Sequence, residues 1–285
     1  MEPCATHCVL QWSEGAQGVT AAAARPIFAD MSPARWRSAV ILCLCTLVSA
    51  AGQPAKAAEV AVAVAANFTA PLDKLAAAFE KTSGHHLVIS SGSSGKLYVQ
   101  ITAGAPFEVM LSADAERPLR LEKEGAAVAG SRFTYAIGKL VLWSRDPGLV
   151  DPAGAVLASS RFRHLAIPNP ETAPYGAAAR QVLQGLDLWQ KLAPRLVQGE
   201  DIGQTYQFVA TGNAELGFVA LSQIRAAGKP QGSLWIVPSE RYRPIEQQAV
   251  LLTRGKDNPA ARAFLEFLRG AAARALIQEF GYGLP

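Results

Sequence analysis

Two short turns rich in small polar residues stand out in the first half of the chain. One is Ala65–Thr69, which contains Asn67, and the other is Ser90–Lys96, which contains Ser94. Each turn follows an apolar run and precedes a helical pattern. Where a strand ends and a helix begins, unpaired backbone N–H groups and the positive end of the helix dipole point at one place, and hydroxyl or amide side chains add donors. The two turns therefore predict a cradle for a compact oxyanion.

Two more helix starts of the same kind follow in the second half of the chain. The proline-bracketed segment Asn169–Gly176 fixes Tyr175 near a helix N-terminus, where its hydroxyl can donate a hydrogen bond. The segment Glu200–Gln204 opens another helix and leaves the backbone N–H of Ile202 free. Packing is an alternative role for Tyr175, and ordinary helix capping is an alternative role for the serines.

The serine-rich turn also allows two enzymatic interpretations. A nucleotide P-loop needs four residues between its glycines and a Ser or Thr after the Lys, and the segment Gly92–Leu97 has neither. A secreted serine hydrolase would pair a serine with His85 or His86, but the chain has no G-x-S-x-G elbow, and the two histidines follow a helix end at Gly84. We therefore expect a binding protein without catalytic residues, and the hydrolase is the rival from another class.

The elements that position these residues alternate between strand-like and helix-like segments from Val60 onward. This alternation indicates an α/β fold with a largely parallel sheet. A second α/β unit spans 138–245, so that 59–137 and 246–285 form the first lobe and 138–245 the second. Two such lobes describe a clamshell with a ligand cleft at the carboxyl ends of the strands.

Two segments have patterns that predict single long elements. Tyr135–Trp143 is a continuous β-like run, and Pro259–Phe280 is a Leu, Phe and Ala pattern typical of one helix. The C-terminal helix would return to the first lobe.

Residues 1–58 read as an upstream extension followed by a secretory signal peptide. The apolar run 39–48 follows two arginines and precedes small residues, which predicts a start at Met31 and cleavage near Ala57 and Ala58. The run is too short for the roughly 20 residues that span a bilayer, so a permanent membrane anchor is the lesser alternative. All four cysteines lie in this part: Cys4, Cys8, Cys43 and Cys45. The exported chain would hold together by its core, without disulfides.

The composition favours an ordinary globular protein. Hydrophobic residues make up 50% of the 285, charged residues only 18%, and the net charge is +4. Such a weak basic excess gives no electrostatic footprint for nucleic acid, and we expect no nucleic-acid partner.

Several motifs, taken in order, resemble those of the periplasmic molybdate-binding protein of ABC importers. The resemblance covers roughly residues 59–285 and rests on Val62–Thr69, Ser90–Leu97, Ile101–Asp114, Ala166–Pro170 with Ala173–Gly176, Gly199–Ile202 and Glu215–Val219. It implies a two-lobed, type II solute-binding protein fold.

The resemblance also implies a site and a function. Members of that family hold a tetrahedral dianion with hydroxyl or amide residues and backbone N–H groups, and the matching positions here are Asn67, Ser94, Tyr175 and Ile202. The implied protein captures molybdate, and tungstate as well, in the periplasm and delivers it to a membrane permease. We expect no cofactor, no metal other than molybdenum inside its oxyanion, and a monomer. A receptor for sulfate or another small oxyanion is the alternative within binding proteins.

Overall fold

The computed structural model of the chain describes residues 57–228 and 232–285. The strands of this part are β1 (Glu59–Ala65), β2 (His86–Gly92), β3 (Val109–Ser112), β4 (Phe133–Gly138), β5 (Leu140–Ser144), β6 (Leu165–Pro168), β7 (Leu196–Gly199), β8 (Leu216–Ala220), β9 (Ser233–Ile236) and β10 (Ile245–Leu251). Its α-helices are α1 (Thr69–Ser83), α2 (Ser94–Thr102), α3 (Glu116–Lys123), α4 (Pro174–Gly185), α5 (Trp189–Leu192), α6 (Ile202–Ala210), α7 (Leu221–Ala226), α8 (Pro259–Arg269) and α9 (Ala271–Glu279). The α/β class predicted from the alternation is therefore confirmed.

The strands form two five-stranded sheets. The first has the order β2-β1-β3-β10-β4 and the second the order β7-β6-β8-β5-β9. In each sheet three neighbouring strands pair parallel, whereas one strand, β10 or β5, pairs antiparallel with both of its neighbours, so that four of the five strands run in the same direction. The prediction of a largely parallel sheet is thus wrong in part, because β10 and β5 enter their sheets from the opposite direction. We call the part built on the first sheet the first lobe, and the part built on the second sheet the second lobe.

Helices cover both faces of each sheet. On one face of the first sheet, α1 and α8 bury the apolar side chains of Leu72, Phe79 and Phe264, and α2 and α3 cover the other face with Leu97 and Leu121. Burying apolar area on both faces supplies the main stabilisation of such a layered fold. The edge that remains for a ligand is the one where the parallel strands end.

The chain crosses between the lobes at Gly138 and Lys139. The run Tyr135–Trp143, predicted as one strand, is two strands in different sheets, since β4 pairs with β10 and β5 pairs with β8 and β9. The apolar pattern continues through the crossing because both strands are buried, so the pattern alone gives no sign of the break.

The predicted C-terminal helix Pro259–Phe280 is also two helices. Gly270 separates α8 from α9 with extended backbone angles, φ −67° and ψ 157°. Asn258 caps α8, its Oδ1 accepting from the Ala260 N–H at 3.0 Å. Both helices still pack on the first lobe, where Leu268 and Ile277 are buried.

The predicted signal peptide, its start at Met31 and the four cysteines lie outside the described residues. Within the described ranges, no helix is long and apolar enough to cross a membrane.

Candidate anion-binding site

A small cavity lies between the two lobes, where strands of both sheets end. Its empty space, open solvent included, is about 200 Å³. It is lined by Ala65, Ala66, Asn67, Gly92, Ser93, Ser94, Ala113, Ala173, Pro174, Tyr175, Asp201 and Ile202. All four residues predicted from the sequence line this cavity, although they come from four separate segments. The cavity suits a compact ion.

Ser94 is the first residue of α2 and is fully buried. Its hydroxyl oxygen accepts a hydrogen bond from the Ala113 N–H at 2.9 Å, which follows β3. Because that bond occupies the oxygen as an acceptor, the hydroxyl proton is left to donate. The neighbouring Ser93 caps the helix instead, accepting from the Lys96 N–H at 3.4 Å. The capping role that the sequence left open therefore falls on Ser93, and the side chain of Ser94 does not cap the helix.

Tyr175 lies in the first turn of α4, after Pro174, and its side chain is 1% exposed. Its Oη accepts a hydrogen bond from Gln247 Nε2 at 3.2 Å. Burial raises the pKa of the Tyr175 phenol well above its usual range. The hydroxyl therefore keeps its proton at physiological pH and can act as a donor.

Ile202 is the first residue of α6, and its backbone N–H is among those that a helix start leaves without an intrahelical acceptor. Asp201 precedes it as the N-cap, and its Oδ1 accepts from the Gln204 N–H at 2.9 Å. The carboxylate of Asp201 is thus bound to the helix that it caps. The site gains a backbone donor at the positive end of a helix dipole.

Asn67 is placed differently from a simple side-chain ligand. It is 2% exposed, and its Nδ2 donates to Gln247 Oε1 and to Tyr282 Oη, both at 2.9 Å. Both amide protons are thereby used inside the protein, and Oδ1 is buried without a partner among the described residues. The backbone N–H of Asn67 lies at the start of the helical turn Ala66–Phe68, where helix starts leave such groups without an intrahelical acceptor, and the turn continues into α1.

The lining contains no Lys, Arg or His among the described residues. No cluster of three or more His, Cys, Asp or Glu able to hold a metal ion occurs in residues 57–228 and 232–285. The positive potential of the cavity comes from helix starts and from hydroxyl and N–H dipoles. Such a lining can hold an anion by donation alone.

Contacts around the cavity join the lobes. The Gly95 N–H donates to the Thr172 carbonyl at 2.9 Å, and Lys96 Nζ pairs with Glu200 at 2.6 Å. Arg117 Nη2 also donates to the Glu171 carbonyl, at 3.3 Å. The lobes therefore meet directly in this structure, which places donors from both around one space.

The residues suggested for a hydrolase are not assembled as a catalytic pair. His85 accepts from the Ala58 N–H through Nδ1 at 3.3 Å, and His86 lies 3.4 Å from Glu80. Ser94 contacts neither imidazole and bonds to Ala113 instead. Neither histidine is therefore placed to act as a general base for the serine-rich turn.

Sequence reasoning missed three residues that support the site from behind: Gln247, Tyr135 and Tyr282. All three are buried. Tyr135 donates directly to Gln247, and Asn67 Nδ2 donates to both Gln247 and Tyr282. The residues joined by these bonds are 112 to 215 positions apart in the sequence. The one signal in the sequence is that Gln247 and Gln248 follow Glu246 in a strand whose remaining residues are apolar. A polar side chain in such a strand must find partners when buried, but the sequence does not name them.

The buried phenols give a prediction for stability at high pH. Burial raises the pKa of Tyr135, Tyr175 and Tyr282 in the folded protein above the value of about 10 for an unfolded chain. Above pH 10 the unfolded state therefore loses protons that the folded state keeps, and unfolding becomes more favourable. The contribution is complete below pH 10 and is lost as the pH rises further, by up to about 1.4 kcal/mol per pH unit for each tyrosine.

Urea unfolding at successive pH values above 9 checks this expectation. The free energy of unfolding should begin to fall near pH 10, and Tyr282→Phe should make the fall shallower. A free energy that stays level well above pH 10 would show that the folded phenols ionise as easily as the unfolded ones.

The two-lobed fold, with a small cavity at the strand ends that no cationic side chain lines, defines a receptor for a small solute. The chain belongs to the bacterial extracellular solute-binding proteins, whose family model matches residues 60–283. It is 60% identical to the Molybdate-binding protein ModA of Azotobacter vinelandii over 81% of this chain and 92% of that protein. It is 52% identical to the Molybdate-binding protein ModA of Rhodobacter capsulatus over 83% of this chain and 92% of that protein.

The solved structures include a protein of similar shape and sequence. The periplasmic molybdate-binding protein of Azotobacter vinelandii superposes with a TM-score of 0.77 at 50% identity, covering 79% of this chain and 99% of that chain. The predicted two-lobed binding-protein fold and the resemblance stated from the motifs are both confirmed.

Proposed function

We propose that this protein captures molybdate in the periplasm and delivers it to the permease of an ABC importer. The observation that carries the proposal is the convergence of Ser94, Tyr175 and Ile202 as donors on one small cavity without a cationic side chain. The names of the relatives at 60% and 52% identity support the same ligand. No further cofactor is needed, since the molybdenum arrives inside its oxyanion.

The chemistry of the lining favours a fully deprotonated oxyanion. A tetrahedral dianion accepts a hydrogen bond at every oxygen, so several donors can offset the cost of taking its charge out of water. A protonated anion such as hydrogen phosphate would also need an acceptor. Tungstate has the same charge and shape as molybdate, and we propose that it binds to the same residues: Asn67, Ser94, Tyr175 and Ile202.

Capture would proceed by closure of the lobes over the ion. In the structure, donors of both lobes surround one cavity while Gly95 lies against Thr172 and Lys96 against Glu200. A ligand that contacts both lobes stabilises the closed form through bonds that the open form lacks. The permease would then recognise the closed, loaded monomer.

A panel of anions tests the proposal. Molybdate and tungstate should raise the melting temperature of the purified protein, because a tight ligand stabilises the folded state by mass action. Sulfate, phosphate and chromate at equal concentration should raise it less. A larger shift with sulfate would mean that the ligand is sulfate instead of molybdate. No shift with any of the five anions would contradict the proposal that the protein binds an oxyanion.

Ser94→Ala should weaken molybdate binding by several-fold or more. The variant removes a hydroxyl donor to a charged ligand, worth about 1 to 3 kcal/mol. Titration calorimetry measures the change, and Ser91→Ala is the matched control, since Ser91 belongs to the same turn but is exposed and lies outside the cavity. Equal affinities of Ser94→Ala and the wild type would show that the Ser94 hydroxyl does not bind the ligand.

A further inference from the structure

Gln247 lies outside the cavity lining that includes Tyr175, and it is fully buried. It belongs to β10 of the first lobe, whereas Tyr175 belongs to α4 of the second lobe. The bond between Gln247 Nε2 and Tyr175 Oη, 3.2 Å long, therefore crosses from one lobe to the other. This hydrogen bond decides in which direction the Tyr175 hydroxyl proton points.

The orientation of the Gln247 amide is fixed by two donors. Its Oε1 accepts from Asn67 Nδ2 at 2.9 Å and from Tyr135 Oη at 3.0 Å. With the carbonyl oxygen held on that side, the amide nitrogen faces Tyr175. An amide nitrogen only donates, so Tyr175 Oη must be the acceptor.

A β-bulge brings Tyr135 into this arrangement. Gln247 pairs with Ala136 and Gln248 pairs with Thr134, so Tyr135 has no partner residue on β10. Bulges of this kind re-aim a side chain beside a functional site. Here the bulge accompanies a tyrosine whose hydroxyl reaches the buried glutamine.

A phenol carries one proton, and a bond accepted from Gln247 leaves that proton unused. We infer that Gln247 is a positioning residue, which holds the Tyr175 hydroxyl as a hydrogen-bond donor toward the cavity and thereby selects a fully deprotonated oxyanion. The inference rests on the proposed function for the ligand itself. If the Gln247 amide faced the other way, Tyr175 would donate to it and present lone pairs to the ligand, which suits a protonated anion.

A double-mutant cycle tests whether Gln247 acts through Tyr175. Gln247→Met and Tyr175→Phe should each weaken molybdate binding by about 10-fold, the scale of one bond to a charged group. The double variant should be no weaker than Tyr175→Phe alone, because there is no hydroxyl left to orient. Wild-type affinity in Gln247→Met, or two effects that simply multiply, would overturn the inference.

The matched control is Gln248→Met, the same change one residue along β10. Gln248 bonds to Arg132 at 2.7 Å and to Thr134 at 3.0 Å, outside the Tyr175 network. Its affinity for molybdate should equal that of the wild type. A loss as large as that of Gln247→Met would point to a general effect on the strand and overturn the inference.

Gln247→Glu keeps the shape of the side chain and adds a second measurement, the pH dependence of molybdate affinity, which a change in packing alone would not alter. The groups facing position 247 are the amide of Asn67 and the phenols of Tyr135 and Tyr175, with Tyr282 beyond Asn67. A protonated Glu can donate to Tyr175 as the amide does, but a carboxylate only accepts. Molybdate affinity of this variant should therefore fall by about 10-fold or more between pH 6 and 9, where a buried Glu ionises.

Over the same pH range the affinity of the wild type should stay level. A Gln247→Glu variant that follows the wild type at every pH would overturn the inference. These titrations also separate it from the proposed function, which fails if the wild type itself does not bind molybdate.

A neutron structure of crystals in the closed form supplies a result that does not depend on which anion is bound. The deuteron of Tyr175 Oη should point into the cavity, with both deuterons of the Gln247 amide on the atom that faces Tyr175. A Tyr175 deuteron directed at Gln247 would overturn the inference, whatever the protein binds.

Discussion

Gly95→Ala is expected to leave the protein folded but to weaken molybdate binding by about 10- to 100-fold. A Cβ at position 95 would lie 2.9 Å from both Cα and the carbonyl oxygen of Thr172, in the opposite lobe, and 3.1 Å from Arg117 Nη2. Within the first lobe the methyl group meets only the end of the flexible Arg117 side chain, which can move aside, and Ala favours the helix α2. The clash with the Thr172 backbone arises only on closure, where overpacking costs about 1 to 3 kcal/mol.

Calorimetry gives the affinity, and small-angle X-ray scattering shows whether the loaded variant stays open. Gly185→Ala is the control, because a Cβ there meets nothing within 4 Å. Both variants should unfold in urea at least as late as the wild type. Wild-type affinity in Gly95→Ala would mean that the lobes need not meet at Gly95 and Thr172 when the ligand is bound.

Gly138→Ala is expected to lower the free energy of unfolding by about 1 to 3 kcal/mol and to weaken binding as well. A Cβ at the end of β4 would lie inside van der Waals contact of Tyr175 Oη and 2.9 Å from Gln247 Nε2. Neither buried side chain can move without breaking the hydrogen bond between them. Space for the phenol, and not a special backbone angle, is what requires glycine here.

Tyr175→Phe in the same chain separates the two effects. Removal of Oη takes away the worst contact, so the double variant should regain part of the lost stability in urea but none of the affinity. Gly92→Ala is the control for stability at a strand end, because a Cβ there meets only the Leu97 side chain, at 3.7 Å. A Gly138→Ala variant as stable as the wild type would show that the crossing can shift to make room.

The helix starts of the site could be read from the sequence because their signals are local. Ser94, Tyr175 and Ile202 each follow a short polar or proline-bearing turn, and strand ends in α/β folds gather at one edge. The same reasoning misjudged the side chain of Asn67, whose amide protons turn to Gln247 and Tyr282. A turn residue's type predicts that it can donate, but not in which direction.

The residues that the sequence did not reveal depend on distant partners. Tyr282 meets Asn67 across 215 residues of chain, and Gln247 meets Tyr175 across 72. Whether the run Tyr135–Trp143 continues or changes sheets is decided by the pairing of β4 with β10 and of β5 with β8. No window of sequence contains those partners, so periodicity could only predict that the run is buried and extended.

The bulged end of β4 places an unusual constraint on how this protein can evolve. Within four residues, Tyr135 holds the Gln247 amide, Gly138 makes room for the Tyr175 hydroxyl, and the backbone leaves one sheet for the other. A change in ligand preference at Tyr175 would alter the space at Gly138 and the bond at Gln247 together. Variation among descendants of this gene should therefore be concerted at these positions, with paired replacements surviving where single ones are lost.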